Sequence, residues 1–258
     1  MLRYCLDMFR HNANLSGLEE IELKTLIDWF MLSFLAGNIN TGGYLACHRF
    51  VSHVTGFATL TGVDFAFELW AEAIGILSVP LFFLFGVLIS AYYVDRRVHA
   101  GKRPRYALVM GFETVCLFFA GLGGVLGVWS EFGRELVLSR DFAFLALLCM
   151  ASGIQNAALS SSSGSTLRTT HLTGTTTDLG IGLVRWATYS RKDPRRRLEM
   201  RGNIFRIGLI FSFIVGSAVG AVLYVKFHYW GFMLPFLMAA YATYRARETG
   251  DPRVLPVP

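Results

Sequence analysis

Long apolar segments alternate with short polar ones along most of the chain. The apolar windows cover residues 29–46, 74–94, 106–128, 142–159, 204–225 and 230–244. A helix needs about 20 apolar residues to cross the roughly 30 Å of hydrocarbon in a bilayer. We therefore predict an all-α integral membrane protein with about six transmembrane helices, of which the fourth and sixth are a little short.

A polar motif occurs twice within this apolar pattern. Residues 51–56 read V-S-H-V-T-G and residues 169–174 read T-T-H-L-T-G. His53 and His171 are thus 118 positions apart (171 − 53). The same offset also pairs identical residues at Asn38 and Asn156, Thr55 and Thr173, Gly56 and Gly174, Thr59 and Thr177, and Gly62 and Gly180. Identities at one constant offset predict that the chain consists of two related halves that arose by duplication.

Composition supports the membrane class. The 258 residues are 53% hydrophobic and 16% charged, with a mean hydropathy of +0.46. Buried helices of a large soluble core are the alternative, but soluble chains rarely repeat apolar windows of this length. Residues 1–24 carry charges throughout and do not resemble a cleavable signal peptide, so the first span is the expected insertion signal. The four scattered cysteines predict neither a disulfide framework nor a metal site.

The positions of the charges predict the topology. Residues 95–105 and 185–201 are rich in lysine and arginine, whereas residues 62–73 have acids only and residues 129–141 mix both signs. The positive-inside rule places the first two loops in the cytoplasm and the other two outside. We expect both termini to be cytoplasmic in a bacterial inner (plasma) membrane. The net charge of +6 lies in these loops, so we predict no nucleic-acid partner.

Three spans in each half give the two halves opposite orientations. The predicted organisation is a cytoplasmic N-terminal segment (1–24), membrane repeat 1 (25–128), an external connector (129–140), membrane repeat 2 (141–245) and a cytoplasmic tail (246–258). Gly86 and Gly216 lie inside the second span of each half. Inverted repeats of this kind are related by a pseudo-two-fold axis in the membrane plane and are common among transporters.

Each half is predicted to contain an interrupted or re-entrant segment after its first span. Residues 49–69 and 160–188 are too polar for a lipid-facing span and too apolar for a plain loop. The serine run at 160–165 predicts a break, and the threonines at 173 and 175–177 predict the cap of a new helix. Two helix N-termini that face each other would favour an anionic or polar solute.

The candidate functional residues are the polar groups of these segments. We predict substrate binding by Asn38, Asn40, His53, Thr55, Gly56, Gln155, Asn156, His171, Thr173 and Gly174. The histidines can also carry a proton, and Glu113 in the third span is a further candidate for proton coupling. Structural roles compete with these assignments: the histidines would bond backbone carbonyls, the amides would join helices, and Glu113 would pair with an arginine such as Arg206.

The two motifs resemble the signatures of a known family. Residues 37–46, G-N-I-N-T-G-G-Y-L-A, followed by the first histidine motif, are similar to the first signature of the YoaK-like family of bacterial multi-pass membrane proteins. Residues 153–158 and 168–175 resemble the second signature, and the resemblance covers about residues 25–245. Many relatives have an aspartate near Asn40 and a tyrosine near His171. Because the family is a domain of unknown function, the resemblance implies a fold and no chemistry.

Two classes of function follow from the sequence. The first is a transporter or channel for a small polar or anionic solute, with its site between the two histidine motifs. The alternative is a non-transporting sensor or assembly partner whose basic cytoplasmic loops bind anionic lipid or a soluble protein. A hydrolase built on the serine run and His171 lacks a positioned acid, so we predict no enzyme, cofactor or metal. The expected partners are the lipid bilayer, the solute and a second copy in a homodimer.

Overall fold

Nine α-helices and one short 3-10 helix make up the part of the chain that the structure, a computed structural model, describes. This part comprises residues 23–134, 139–162 and 171–248. The helices are α1 (Leu23–Cys47), α2 (Val54–Ala66), α3 (Trp70–Tyr93), α4 (Asp95–His99), α5 (Tyr106–Val125), α6 (Ser139–Ser162), α7 (Leu172–Thr188), α8 (Pro194–Phe227), the 3-10 helix (His228–Phe232) and α9 (Met233–Glu248). These ranges contain no β-strand, which confirms the prediction of an all-α protein.

Four stretches of the described residues are long and apolar enough to cross a membrane. They are Ala73–His99, Tyr106–Val125, Arg140–Ser162 and Pro194–Arg247, the last of which contains both α8 and α9. Large apolar side chains are exposed along them, including Leu81 at 62% and Phe211 at 65%. Exposed apolar faces of this extent fit contact with lipid. The membrane class is thus supported by four stretches, and the six-span arrangement remains a prediction.

Helices α1 and α8 pack side by side and run in the same direction. Phe30 stacks near Phe205, and the Ser33 hydroxyl donates a hydrogen bond to the Leu209 carbonyl at 2.8 Å. Further along, Gly42 lies against the ring of Tyr224. The residue numbers rise together on the two helices, so the helices are parallel.

Reciprocal glycines let the α1 and α8 backbones approach closely. A Cβ atom at Gly37 would collide with the carbonyl oxygen of Phe213, and one at Gly216 would collide with the carbonyl oxygen of Phe34. Small residues at a helix crossing allow this approach where larger side chains would hold the backbones apart.

Helices α3 and α6 form a second parallel pair with the same kind of crossing. Near their first turns, Gly75 lies against the ring of Phe142. At the crossing, a Cβ at Gly86 would meet the Met150 carbonyl, and a Cβ at Gly153 would meet the Phe83 carbonyl.

The contact between the two pairs is antiparallel. The Gln155 side-chain amide on α6 donates to the carbonyl of Leu32 near the start of α1. Gly43, near the end of α1, lies against the Leu148 side chain, which is earlier on α6. The centre of this seam is filled by fully buried apolar side chains, among them Leu35, Ile39, Leu145, Leu148 and Ala151.

Helices α5 and α9 pack against each other and are also antiparallel. The hydroxyls of Thr114 and Thr243 are 3.0 Å apart, and the rings of Phe118 and Phe236 have centroids 5.4 Å apart. Numbers therefore rise on one helix as they fall on the other.

The expected threonine cap of the second motif helix is wrong, and part of the serine run is helical. Helix α6 continues through the first serines of the run, to Ser162, whose hydroxyl donates to the Leu159 carbonyl at 3.0 Å. The threonines after His171 lie inside α7 and donate to carbonyls four residues earlier, as Thr175 does to His171 at 3.1 Å. Hydroxyls that bond back to the preceding turn let serine and threonine remain in a helix. The rest of the serine run lies outside the described residues.

The connector at 129–134 closes one end of the helical core. The Gly133 amide donates to the Ala46 carbonyl at 3.0 Å, and the His48 ring nitrogen lies 3.0 Å from the Gly133 carbonyl. The ring of Phe132 stacks on those of Tyr224 and His228. This end, which the charge pattern predicts to be external, is thus covered by aromatic side chains.

The glycine crossings predict a sharp contrast between two Gly→Ala substitutions. Gly216→Ala places a methyl group against the Phe34 backbone, so we expect a loss of about 1–3 kcal/mol of stability from overpacking. Gly180→Ala is the matched control, because a Cβ there meets nothing within 4 Å. It should be neutral or stabilising through helix propensity. Thermal unfolding in one detergent compares the variants, and equal midpoints for both would contradict the close crossing.

Candidate functional site

The two histidine motifs have the same local backbone structure. His53 immediately precedes α2 with φ −99° and ψ 70°, and His171 immediately precedes α7 with φ −94° and ψ 59°. Neither side chain makes a capping hydrogen bond to its helix. The repeated sequence therefore starts a new helix in each half, one residue after the histidine.

The glycine of each motif makes room for the histidine ring. A Cβ at Gly56 would lie 2.7 Å from Nδ1 of His53, and a Cβ at Gly174 would lie 3.0 Å from Cε1 of His171. Residues three apart share a helix face, which explains the spacing of histidine and glycine. In both copies the imidazole rests on the first turn of its helix.

The motif threonines repeat a hydrogen bond at the 118-residue offset. The Thr59 hydroxyl donates to the Thr55 carbonyl at 3.0 Å, and the Thr177 hydroxyl donates to the Thr173 carbonyl at 2.9 Å. Thr55 and Thr173 are exposed, as are the two histidines. The histidines and threonines at the start of α2 and α7 are therefore accessible polar groups at apolar helices.

Helix α7 lies antiparallel to α8. Arg185 pairs with Glu199 at 3.6 Å, and nearer the end of α7 Trp186 lies under the Arg196 guanidinium at 4.9 Å. Gly182, one turn earlier on α7, contacts Asn203, which is later on α8. At about 1.5 Å per residue, the start of α7 lies roughly 20 Å from Arg185, in the direction of the middle of α8.

Helix α2 packs on α3 and α7 packs on α8, but α2 and α7 are not among the helix pairs that pack in the described structure. Near the turn after α2, the rings of Phe65 and Trp70 have centroids 5.1 Å apart. Each motif is thus held by its own half of the chain, without a packed contact between His53 and His171.

Asn38 joins α1 to α8. It is fully buried, its Nδ2 donates to the Gly216 carbonyl at 3.4 Å, and its Oδ1 accepts a hydrogen bond from the Tyr224 hydroxyl at 2.9 Å. Both ends of the amide are therefore engaged within the protein. A structural role explains this residue.

Asn40 and Gln155 also connect segments. Oδ1 of Asn40 accepts from the amide and the hydroxyl of Ser52 at 3.4 and 3.1 Å, which fixes the approach to His53. Gln155 bonds Leu32 through Nε2, while its buried Oε1 has no hydrogen-bond partner. Asn156 is half-buried beside it.

The helix crossings change the register between the halves. Gly37 on α1 meets the Phe213 carbonyl, and Gly153 on α6 meets the Phe83 carbonyl in the same way. The two glycines are therefore equivalent, at an offset of 116 residues (153 − 37). At this offset Asn40 corresponds to Asn156. The correspondence of Asn38 with Asn156, which the offset of 118 between the histidine motifs gives, therefore does not hold at the crossing. Two extra residues separate the crossing from the histidine in the second half.

Glu113 is fully buried in α5, and neither carboxylate oxygen has a hydrogen-bond partner in the described structure. The expected pairing with Arg206 is wrong, because Arg206 lies 3.9 Å from Glu199 and donates to Asn203 at 2.8 Å. One turn to either side, Met110 and Leu117 belong to apolar clusters.

A charged cluster between α7 and α8 was missed from the sequence. It consists of Arg185, Glu199, Asn203 and Arg206. The sequence does contain a signal for this cluster. Glu199, Asn203 and Arg206 are spaced by four and three residues, which places them on one face of a helix. Just before α8, hydrogen bonds from Arg195 hold the pKa of the Asp193 carboxyl below its usual value.

No candidate residue lines either of two apolar clefts found in the described structure. The first lies between α5 and α9 and the second between α3 and α6. Within the described ranges, no three histidine, cysteine, aspartate or glutamate side chains come together in a way that could hold a metal ion.

One comparison with known proteins identifies the family of this chain. The model of the family described as "Protein of unknown function (DUF1275)" matches residues 29–244. This agrees with the resemblance of the two motifs to an uncharacterised membrane family. Neither the curated proteins nor the solved structures provide a match.

The buried bond between Tyr224 and Asn38 predicts a structural phenotype. Tyr224→Phe leaves Oδ1 of Asn38 buried without a donor, which costs about 1–3 kcal/mol. Tyr241→Phe is the matched control, because Tyr241 is 50% exposed. Thermal unfolding should separate the two variants. An unchanged midpoint in Tyr224→Phe would contradict a structural role for Asn38.

Proposed function

Given that this chain belongs to the DUF1275 family of proteins of unknown function, we propose that it is a membrane transporter or channel for a small polar or anionic solute. The observation that carries the proposal is the antiparallel seam between equivalent helices. The solute site is proposed where the inverted halves meet, at the starts of the two histidine-motif helices.

The helix contacts support an inverted repeat. A two-fold axis in the membrane plane would exchange α1 with α6, α3 with α8 and α5 with α9, and would reverse the direction of each. Antiparallel contacts of α1 with α6 and of α5 with α9 meet this requirement. The same axis would map the parallel pair of α1 and α8 onto the parallel pair of α6 and α3. Both pairs cross at reciprocal glycines. Alternating access by rocking of two such halves is a common transport mechanism.

The motif helices have the dimensions of half-helices. Helix α2 has 13 residues and α7 has 17, so they extend about 20 and 25 Å, less than the hydrocarbon thickness of about 30 Å. A helix that enters from one face and begins at depth presents free amides and a partial positive charge. His53 and Thr55 lie at the start of α2, and His171 and Thr173 lie at the start of α7, where polar side chains beside free amides favour a polar or anionic solute.

Among the predicted substrate-binding residues, most of the side-chain amides and the glycines position other groups rather than contact the solute. Asn38, Asn40 and Gln155 hold the helices from which the motifs start, and Gly56 and Gly174 seat the histidine rings. Asn156 is proposed to bind the solute from the second half of the chain. Direct contact with solute is proposed for the histidines and threonines.

Glu113 is the proposed proton-coupling group. An ionised carboxylate in this position would be buried without a hydrogen bond or an opposite charge, which is costly. A proton bound in this conformation and released in another would link solute movement to a proton gradient. His53 and His171 are proposed to share this role, since an imidazole can both donate and accept a proton.

The transport proposal predicts solute flux through the reconstituted protein. Proteoliposomes should admit at least one of formate, nitrate and urea faster than protein-free liposomes, as measured by stopped-flow light scattering. The His53→Ala, His171→Ala double variant should fall to the protein-free rate because the proposed solute contacts are lost. His99→Ala, in the exposed turn of α4, is the matched control and should retain the flux. Equal rates in protein and protein-free liposomes for all three probes would contradict the proposal.

The same liposomes test the role of Glu113. An imposed proton gradient should accelerate the flux, and Glu113→Gln should remove that acceleration while the flux without a gradient persists. The amide keeps the size of the side chain but cannot release a proton. Gradient-driven acceleration that survives in Glu113→Gln would contradict proton coupling through this carboxyl group.

A further inference from the structure

The crease between α7 and α8, defined by Gly182, Arg185, Glu199, Asn203 and Arg206, carries excess positive charge. Glu199 is 3.6 Å from Arg185 and 3.9 Å from Arg206. Two guanidinium groups thus share one carboxylate. The arrangement leaves one positive charge uncompensated within the cluster.

The α7–α8 crease also contains a hydrogen-bond donor without an acceptor. Asn203 is 1% exposed, its Oδ1 accepts from Arg206, and its Nδ2 is buried without a partner. On α7 the facing residue is Gly182, which brings only backbone to this point. Buried donors are nearly always paired, so an unpaired one next to excess positive charge indicates a ligand with acceptor oxygens.

The depth of the crease points to a lipid headgroup. Helix α8 has 34 residues and is about 51 Å long, well beyond the hydrocarbon thickness of about 30 Å. Its polar first part, residues 194–203, ends immediately before Ile204, which is 60% exposed. Asn203 and Arg206 therefore lie where an apolar surface gives way to a polar one, the level at which phospholipid phosphates lie.

Apolar side chains beside the crease fit acyl chains. On α7, Ile181 is 47% exposed and Val184 is 67% exposed, and both are within one turn of Arg185. A soluble anion would gain nothing from these residues. A phospholipid would cover them while its phosphate reaches the arginines.

The surrounding charge complements an anionic membrane surface. Arg195 lies over the ring of Tyr189 at 4.7 Å, and Arg196 lies over the ring of Trp186 at 4.9 Å. Interfacial aromatic rings with basic side chains are typical of protein segments at headgroup depth. Helix α2, the counterpart of α7 in the first half, contains no lysine or arginine, so a basic crease of this kind is specific to the α7–α8 pair.

We infer that the α7–α8 crease binds the phosphate headgroup of an anionic phospholipid. Arg185 and Arg206 supply the charge, the Asn203 side-chain amide donates a hydrogen bond to a phosphate oxygen, and the acyl chains lie along Ile181 and Val184. The bound lipid would hold the re-entrant helix α7 against α8. This inference does not depend on the identity of a transported solute.

The test compares lipids added to the full chain in a neutral detergent. Phosphatidylglycerol should raise the thermal unfolding midpoint, whereas phosphatidylcholine and inorganic phosphate should not. Most of the increase should be lost in Arg185→Gln and in Asn203→Ala. Arg96→Gln is the matched control, because it removes an exposed charge from the other basic loop, and it should keep the increase.

Three results would overturn the inference. Equal midpoints with the two lipids would exclude headgroup selectivity, and an increase with inorganic phosphate equal to that with phosphatidylglycerol would indicate a soluble anion. An equal loss in Arg96→Gln would indicate general attraction to basic loops. Native mass spectrometry of retained phosphatidylglycerol provides a second readout for any variant of low stability: retention should fall in Asn203→Ala and in Arg185→Gln, and unchanged retention in both would contradict the site.

Discussion

The close crossing of helix backbones at reciprocal glycines is the constraint on which the other features depend. Gly37 and Gly216 bring α1 against α8, and Gly86 and Gly153 bring α3 against α6. In lipid, helix association depends on packing and on interhelical hydrogen bonds, since lipid tails are as apolar as the side chains. The crossings allow Asn38 to reach Tyr224 and Ser33 to reach Leu209, so close packing and hydrogen bonding stabilise the same pair.

These two pairs position the polar segments. Helix α3 carries α2 and helix α8 carries α7, so each histidine motif is oriented by a crossing that joins its half of the chain to the other. Several buried polar atoms of the described residues lack a hydrogen-bond partner, among them both oxygens of the Glu113 carboxylate, Oε1 of Gln155 and Nδ2 of Asn203. A buried polar group without a partner is costly, and such groups commonly mark sites of function. Here they support the two proposals of proton binding on α5 and lipid binding at the α7–α8 crease.

Sequence patterns predicted the elements better than their contacts. Apolar windows located the long helices, and the histidine motifs located the starts of α2 and α7, because both signals are local. The threonines of the second motif misled the prediction, since Thr175 and Thr177 satisfy their hydroxyls by bonding to carbonyls four residues earlier. The partner of Arg206 depends on which helix faces pack together. The correspondence of Asn40 with Asn156 depends on where the helices cross. Those properties arise from packing between distant segments and leave no local signal.

The orientation of the two halves is tested most directly by cysteine accessibility at two corresponding positions. Glu68, after α2, and Lys192, after α7, are both exposed. In a variant whose four native cysteines are replaced, each position receives one cysteine, and intact cells are treated with a membrane-impermeant maleimide. The inverted arrangement predicts labelling of Glu68→Cys in intact cells and of Lys192→Cys only after the membrane is opened. Labelling of both positions in intact cells, or of neither, would contradict it.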